Sequence, residues 1–281
     1  MRAAWDRFWF APAAPKGLGI TRALLLGGFV ALYARSEFAC YGSVSPVLYG
    51  VTWFRPPIAP EAWLLAAHRI WLLALALGCV GLFTRAALAA SFVLGAYLLG
   101  IDANFGRVHH NDLPVVLALG VLAASRAGDA FSLDAARRRA PVPQSGEYRW
   151  PLRAIQVTLA AAFFAAGVAK LRHAGLDWIT TDNLRLRLIE RSYALVPSRG
   201  WGLLPARFPL LCHALAAATV ATELLYPLSL ASVRARAVLV PASLLMLLGF
   251  AVFFGPRFTT LAILSLVWAP WERLLASRRS T

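Results

Sequence analysis

The sequence predicts an all-α protein, a polytopic integral membrane bundle of about eight transmembrane helices. Two observations support this prediction. Of the 281 residues, 59% are hydrophobic and only 15% are charged, whereas soluble domains average about 25% charged residues. The apolar residues also gather in long runs, and a run of about 20 such residues forms a helix that crosses a bilayer. This composition excludes a large soluble domain.

Apolar runs define the candidate spans, and we expect them to form a single domain over residues 1–281 with no soluble domain after it. In chain order the runs are 17–36, 62–84, 86–103, 112–126, 151–171, 208–232, 235–254 and 257–271. The fourth and eighth runs are short, so they are either tilted spans inside the bundle or re-entrant segments, and the count is seven or eight. The first run does not have the features of a cleavable signal peptide and is expected to be a first span.

The distribution of charge predicts the topology. A net charge of +15 would suggest nucleic acid in a soluble protein. Here most of the charge is arginine in predicted loops, so the expected partner is membrane lipid and not nucleic acid. The loop 126–153 carries six arginines, which places it in the cytoplasm. Eight spans then put both termini in the cytoplasm, and we expect a bacterial inner membrane. The outer loop 172–207 is expected to hold an interfacial amphipathic helix.

The sequence does not predict a metal site or a disulfide framework. Cys40, Cys79 and Cys212 show no paired spacing. His109 and His110 are adjacent, and consecutive residues do not share a helical face, so their spacing gives little support for a metal site. We therefore expect no bound metal.

The predicted topology gathers polar side chains at the outer half of the membrane. The loop between the third and fourth runs contains Asp102, His109, His110 and Asn111, and the fifth run ends on the same side at Lys170. We expect an outward-facing polar cavity between the helices. The alternative is that these residues are solvated loop ends, as charged residues between spans often are.

Lys170 follows a stretch, residues 154–169, that carries no charge. A lysine in or near hydrocarbon is costly unless it snorkels to the interface or is partnered. A lysine removed from water also becomes a base at neutral pH. The residues alone leave both readings open, an interfacial anchor and a functional base.

Two more charges lie within predicted spans. Arg22 is in the first run and Glu223 is deep in the sixth. Because either charge is costly alone in hydrocarbon, we predict that they form a structural ion pair. The alternative is that Glu223 is a protonatable member of a proton relay.

One run of residues carries a family resemblance. The run 164–171 (Phe-Ala-Ala-Gly-Val-Ala-Lys-Leu), followed by Asp177 and Trp178, resembles the horizontally transferred transmembrane (HTTM) family of vitamin K-dependent gamma-carboxylase-like membrane domains. The order of Leu77-Gly78, Arg85, Asp102 and His110, and the pair Glu223 and Pro227, is similar to that family as well. The resemblance covers roughly residues 15–271.

The resemblance implies a chemistry and a set of roles. Lys170 would be the catalytic base that deprotonates a reduced vitamin K-type quinone such as menaquinol. His110 would be the second catalytic residue, a hydrogen-bond donor to the oxyanion, and a one-residue adjustment would give His109 this place. The candidate substrate-binding residues are Asp102, His109, Asn111 and Trp178. The chain departs from the family in having no histidine at 247–250, and we expect that it also departs in having no large domain after its spans.

The function predicted from these residues is quinol-dependent epoxidase or carboxylase-type (lyase) chemistry. The alternative is a non-catalytic or partner-dependent HTTM membrane component for the maturation or export of a secreted peptide, with that peptide or a second membrane protein as its partner. A transporter ranks behind both, because the sequence contains no internal repeat.

Overall fold

The computed structural model is that of an all-helical protein, as the sequence predicts. The residues that it describes are 2–45, 48, 56–106, 111–138, 142–194, 200–255 and 258–271. Among these residues the extended pairing is limited to one isolated bridge between Ala13 and Ser145. The chain divides into two compact units, which are described separately below. The first contains Met1–Thr158 and Ile263–Thr281, and the second contains Leu159–Ala262.

The first unit is built from the N-terminal helices. They are α1 (Arg2–Phe10), α2 (Pro15–Tyr33), α3 (Glu61–Val80), α4 (Thr84–Gly100), α5 (Leu113–Ala124), α6 (Leu133–Arg138) and the start of α7 (Trp150–Ala174). Short 3-10 turns lie at Phe38–Ser43, Ile101–Phe105, Gly146–Tyr148 and Ser265–Trp268. Helix α3 packs against α2 and α4, and α4 packs against α5. The core is apolar, and the indole of Trp71 satisfies its polar atom by donating to the carbonyl of Ser91 at 2.9 Å.

Helix boundaries in this unit follow from residue chemistry. Pro15 opens α2, where its missing N–H has no intrahelical partner to lose. Gly81 ends α3 in the left-handed conformation, with φ of 71°. The first turn of α4 is capped from a distant segment, because the carboxylate of Asp134 accepts hydrogen bonds from the backbone N–H of Phe83 and Thr84.

The second unit begins within α7 and continues through seven more helices. They are α8 (Asp177–Thr180), α9 (Asn183–Ala194), α10 (Leu203–Ala206), α11 (Pro209–Leu225), α12 (Leu228–Ala231), α13 (Val233–Gly249) and the start of α14 (Thr259–Leu264). A π-helical turn, Phe250–Phe254, follows α13 directly. Helix α11 is central, because it packs against α8, α9, α10 and α13.

Five helices in the described part of the chain are long and apolar enough to cross a membrane. They are Pro15–Tyr33, Glu61–Val80, Thr84–Phe105, Gly146–Ala174 and Val233–Phe254. Three shorter apolar helices lie at Leu113–Ala124, Pro209–Leu225 and Thr259–Trp268. Each of these helices coincides with one of the apolar runs in the sequence. The five long helices are therefore consistent with a membrane protein.

The run 208–232, predicted as one span, is two helices. Helix α11 ends at Leu225, and α12 begins at Leu228 after a turn at Tyr226 and Pro227. Proline cannot donate the hydrogen bond that would continue α11, and its ring clashes with the carbonyl four residues earlier, which belongs to Glu223. The break therefore places Glu223 in the last turn of α11.

Candidate functional site

The second unit contains a charged pair that joins two apolar helices. Lys170 lies in the last turns of α7, and Glu223 lies in the last turn of α11. The ammonium of Lys170 donates to both carboxylate oxygens of Glu223, at 2.7 Å and 2.8 Å. The Glu223 side chain is 3% exposed and the Lys170 side chain is 18% exposed. A buried carboxylate is stable only when it is paired and hydrogen-bonded, and Lys170 meets both requirements.

Gly167 explains why the two helices come close enough to form this pair. It lies one turn before Lys170 and faces α11. A Cβ atom at position 167 would lie 3.0 Å from the Cβ of Glu223 and equally close to the side chain of Leu224. Glycine therefore permits a close approach of α7 to Glu223 that a side chain would oppose. This assigns a physical role to the glycine in the Gly-Val-Ala-Lys run.

Aromatic rings surround the pair on two sides. The Lys170 ammonium lies 5.5 Å from the centre of the Trp178 ring, a cation–π distance. Seven residues before Lys170 on α7, Phe163 packs against Tyr226 with ring centres 4.3 Å apart, and both are buried. Residues spaced by three, four or seven positions share a helical face, so this aromatic contact lies beneath the ion pair. Lys170 is thus the more exposed member of the pair, and Glu223 the more deeply buried one.

The predicted ion pair between Arg22 and Glu223 is wrong in both its partners. The carboxylate of Glu223 is taken by Lys170. Arg22 is fully buried in the first unit, where its guanidinium donates to the carbonyls of Phe131 at 2.6 Å, Ala127 at 3.3 Å and Cys79 at 3.4 Å. The hydrogen-bond acceptors of Arg22 are therefore backbone carbonyl oxygens at a helix end and in a loop, and not the carboxylate that we predicted.

The remaining predicted site residues lie in the first unit or outside the described residues. Asp102 lies in the turn Ile101–Phe105 and accepts a hydrogen bond from the hydroxyl of Tyr41. Asn111 is half-buried in the turn before α5. His109 and His110 lie outside the described residues. The structure therefore brings together Lys170, Glu223 and Trp178, and the predicted cavity with Asp102 and His110 stays a prediction.

Sequence reasoning missed a tyrosine–carboxylate cluster in the first unit. The hydroxyl of Tyr33 donates to Asp112 at 2.7 Å, and the imidazole of His68 lies 3.0 Å from the Tyr33 carbonyl oxygen. Burial, followed by the hydrogen bond to Asp102, raises the pKa of Tyr41 well above its ordinary value. Tyr33 and Tyr41 precede the partner residues by more than 60 positions, so no local spacing could reveal these bonds.

A second charged cluster lies at the loop between α5 and α6. Burial alone would raise the pKa of Asp129, but hydrogen bonds from Arg138, Tyr148 and Arg126 outweigh it and hold the pKa below its ordinary value. Asp134 behaves in the same way. Burial is the largest single effect and raises the pKa of Asp134, but the hydrogen bonds from Thr84 and Phe83 together outweigh it and hold the pKa below its ordinary value. These aspartates are structural, because their oxygens are used by the loop and by the start of α4.

Within the described ranges, no three histidine, cysteine, aspartate or glutamate side chains come together as a metal site would require. Comparison of the chain with protein-family models, with curated proteins and with solved structures finds no match. The resemblance described above therefore rests on the residues of this chain alone.

Proposed function

We propose that this chain is a membrane enzyme that takes a proton from a membrane-dissolved quinol, with the Lys170–Glu223 pair as the proton-accepting group. The observation that carries the proposal is the pair itself, a lysine ammonium bonded to both oxygens of a carboxylate inside an apolar helical unit. Ionisable residues within apolar spans are costly and are functional candidates by default.

The proposal includes an eight-span topology. In it the five long apolar helices of the described residues cross the membrane, and so do the three shorter apolar helices. With the arginine-rich loop 126–153 inside, both termini are cytoplasmic, and a bacterial inner membrane is the proposed location. Lys170 then lies at the outer end of its span. The shorter helices cross as segments packed against their neighbours.

The residues present fit a quinol. A reduced quinone is apolar and carries phenolic hydroxyls, so its site needs an aromatic or apolar surface and one basic group. Trp178 supplies an aromatic face beside the ammonium, and Lys170 is the partly exposed member of the pair. When bound, the quinol supplies the acidic hydroxyl and, in the chemistry that the HTTM resemblance implies, the strong base formed with oxygen for epoxidation and carboxylation.

The pair accepts one proton without creating an isolated charge. At 2.7 Å, a proton on Nζ of Lys170 can pass to Oε1 of Glu223, which leaves a neutral amine and a neutral carboxylic acid. The amine then takes the incoming phenolic proton and becomes an ammonium again. The net result is a proton on Glu223 and a positive charge on Lys170 that stabilises the anion formed opposite it. Lys170 thus acts as the base, and Glu223 stores the proton.

The remaining roles stay part of the proposal. His110, or His109 in its place, would donate to the oxyanion, and Asp102 and Asn111 would contribute to substrate binding.

The ion pair also supports a second candidate function. In this second function the Lys170–Glu223 ion pair serves only to hold α7 to α11. The chain would then be a non-catalytic HTTM component that assists the maturation or export of a secreted peptide together with a partner membrane protein. The two functions differ in what happens when the pair is removed and the fold is kept.

The test is epoxide formation in membranes that contain the full chain, supplied with menaquinol and oxygen. Lys16 and Lys170 are the only lysines in the sequence, so Lys16→Ala is a matched control. We expect Lys170→Ala to lower epoxide formation by about 10²–10⁴-fold, the usual contribution of a general base, and Glu223→Gln to lower it as well. The Lys16→Ala variant should retain the wild-type rate.

An epoxide yield that is undiminished in Lys170→Ala would remove Lys170 as the base. If the wild-type chain forms no epoxide, and Lys170→Ala still supports secretion of a peptide encoded with it, the second function is favoured.

A further inference from the structure

The second unit contains a cavity of about 370 Å³ that the proposed proton chemistry does not use. Its walls come from α9, α10, α11, α13 and the π-helical turn, and they include neither Lys170 nor Glu223. Of the side chains that line it, only Thr219 and Thr222 are polar. Its volume is in the range of small-molecule sites, roughly 300–1,000 Å³. The lining therefore fits an apolar ligand.

The lining of the cavity extends along α11. Leu215 and Thr222 both line it and are seven residues apart, which corresponds to about 10 Å of helix. A linear hydrocarbon chain can lie along this apolar wall.

One side chain of α13 that lines the cavity is also exposed on the outer surface. Leu245 lines the cavity and is also 69% exposed, and it lies in Val233–Phe254, the most apolar of the candidate spans. In a membrane the exposed face of this helix meets hydrocarbon. A chain from the surrounding bilayer can therefore enter the cavity without crossing water.

Two backbone features keep this space open. The π-helical turn Phe250–Phe254 changes the direction of the last side chains of the span, and π-turns are frequent at functional sites. Gly249, which precedes the turn, also lines the cavity, and a Cβ atom there would meet no atom within 4 Å. A larger side chain at position 249 would therefore fill this empty volume and exclude a ligand from it.

Two arginines lie close in sequence to residues of α9 and α10 that line the cavity. Arg191 follows the lining residue Leu188 by one helical turn, and Arg207 follows the lining residue Pro205 by two positions. Both arginines are exposed. Arginine pairs well with phosphate, because its planar fork matches the phosphate oxygens. An uncharged quinone offers no group for these side chains.

We infer that the cavity binds an anionic phospholipid, with one acyl chain between α11 and α13 and the phosphate at Arg191 and Arg207. The inference rests on the membrane placement of the second unit and not on the chemistry of Lys170. Failure of the epoxide assay would leave the lipid site standing, and failure of the lipid assay would leave the proton chemistry standing.

The test is photolabelling of the full chain in phosphatidylcholine vesicles that contain phosphatidylglycerol with a diazirine in its acyl chain. We expect labelled peptides from Leu245, Met246 or Phe250. Gly249→Leu fills the cavity and should lower this labelling at least about tenfold, the effect of losing contact with about two methylene groups. Ala218→Phe fills it from α11 and should act in the same way. Val238→Phe, on an exposed part of α13 that does not line the cavity, is the control.

The headgroup is tested by Arg191→Gln combined with Arg207→Gln. This variant should lower labelling by the anionic lipid more than labelling by a photoreactive phosphatidylcholine, because the choline cation of phosphatidylcholine offsets the charge of its phosphate, whereas Arg172→Gln should lower neither. Labelling that is unchanged in both cavity-filling variants overturns the inference. So does labelling of these residues by a photoreactive menaquinone in preference to the anionic lipid.

Discussion

The ammonium of Lys170 lies 2.7 Å and 2.8 Å from the two carboxylate oxygens of Glu223, so the charges of two apolar helices cancel within one contact. This relationship changes the meaning of both residues. Lys170 is neither a lone interfacial anchor nor an isolated base, and Glu223 is not the partner of Arg22. The pair joins α7 to α11. Its contribution to stability and its contribution to proton transfer are tested by different variants.

The first prediction concerns the stability of the pair. Lys170→Met should destabilise the protein by about 3–5 kcal/mol, because it leaves Glu223 buried without its cation. The double variant Lys170→Met with Glu223→Met should recover most of this loss, since an apolar contact can replace a buried ion pair at little cost. The apparent melting temperature in detergent measures both effects.

Lys16→Met is the control for that prediction, because Lys16 is exposed on α2. A Lys170→Met variant as stable as the Lys16→Met control would show that the ion pair contributes little to the stability of the folded protein.

The second prediction concerns Gly167. Gly167→Leu should cost about 1–3 kcal/mol, because the added side chain meets the Cβ of Glu223 and Leu224 where α7 and α11 are closest. Ala165→Leu, two positions earlier on an exposed part of the same helix, should be nearly neutral. Thermal unfolding of the two variants makes the comparison, and equal melting temperatures would contradict the close approach.

The third prediction concerns Arg22. Its guanidinium binds carbonyls at the end of α3 and in the loop before α6, so Arg22→Met should loosen that loop and cost about 2–3 kcal/mol. Arg22→Lys should not restore the protein, because a single ammonium cannot span the three carbonyls that the planar guanidinium contacts.

Limited digestion with trypsin measures this effect, since Arg126 and Arg138 flank the loop. Cleavage there should be faster in both Arg22 variants than in Arg69→Lys, an exposed control on α3. A digestion rate equal to that of the control would mean that the loop does not depend on Arg22.

The fourth prediction concerns pH. The pKa of Asp134 is held below its ordinary value in the folded protein, so its stabilising effect is complete above the pKa of an unfolded aspartate, about 4. The effect is lost as the pH falls through the lower, folded-state pKa. Asp134→Asn keeps an acceptor oxygen and removes the negative charge at the start of α4, so it should cost roughly 0.3–1 kcal/mol at neutral pH and progressively less in acid.

Melting temperatures of wild type and Asp134→Asn across pH 3–7 test this prediction. Asp182→Asn is the comparison, because Asp182 is half-exposed and its pair with Arg185 is a surface contact of little value. A constant difference between wild type and Asp134→Asn down to pH 3 would contradict the assignment of Asp134 as an ionised cap.

Much of the helical architecture was predictable, because hydrophobicity and the residues that start or end a helix are local properties of the sequence. The runs that predict spans coincide with helices, and Gly81 and Pro227 mark real ends. The run 208–232 was misjudged because hydropathy does not register the single proline that divides it. Hydropathy also gives no sign of the π-helical turn after Gly249, since the turn is as apolar as the helix before it.

The composition and the local pattern of this chain by themselves determine that it is helical, apolar and provided with a lysine and a glutamate that need partners. Only the tertiary structure decided that the partner of Lys170 is Glu223, which is 53 residues away, and that Arg22 is satisfied by carbonyls. The physical reason is that the cost of a buried charge is set by its own surroundings, whereas the group that offsets this cost is set by the packing of helices. Gly167 permits the close packing of α7 against α11 beside Lys170. A single sequence does not show which helix will pack against that glycine.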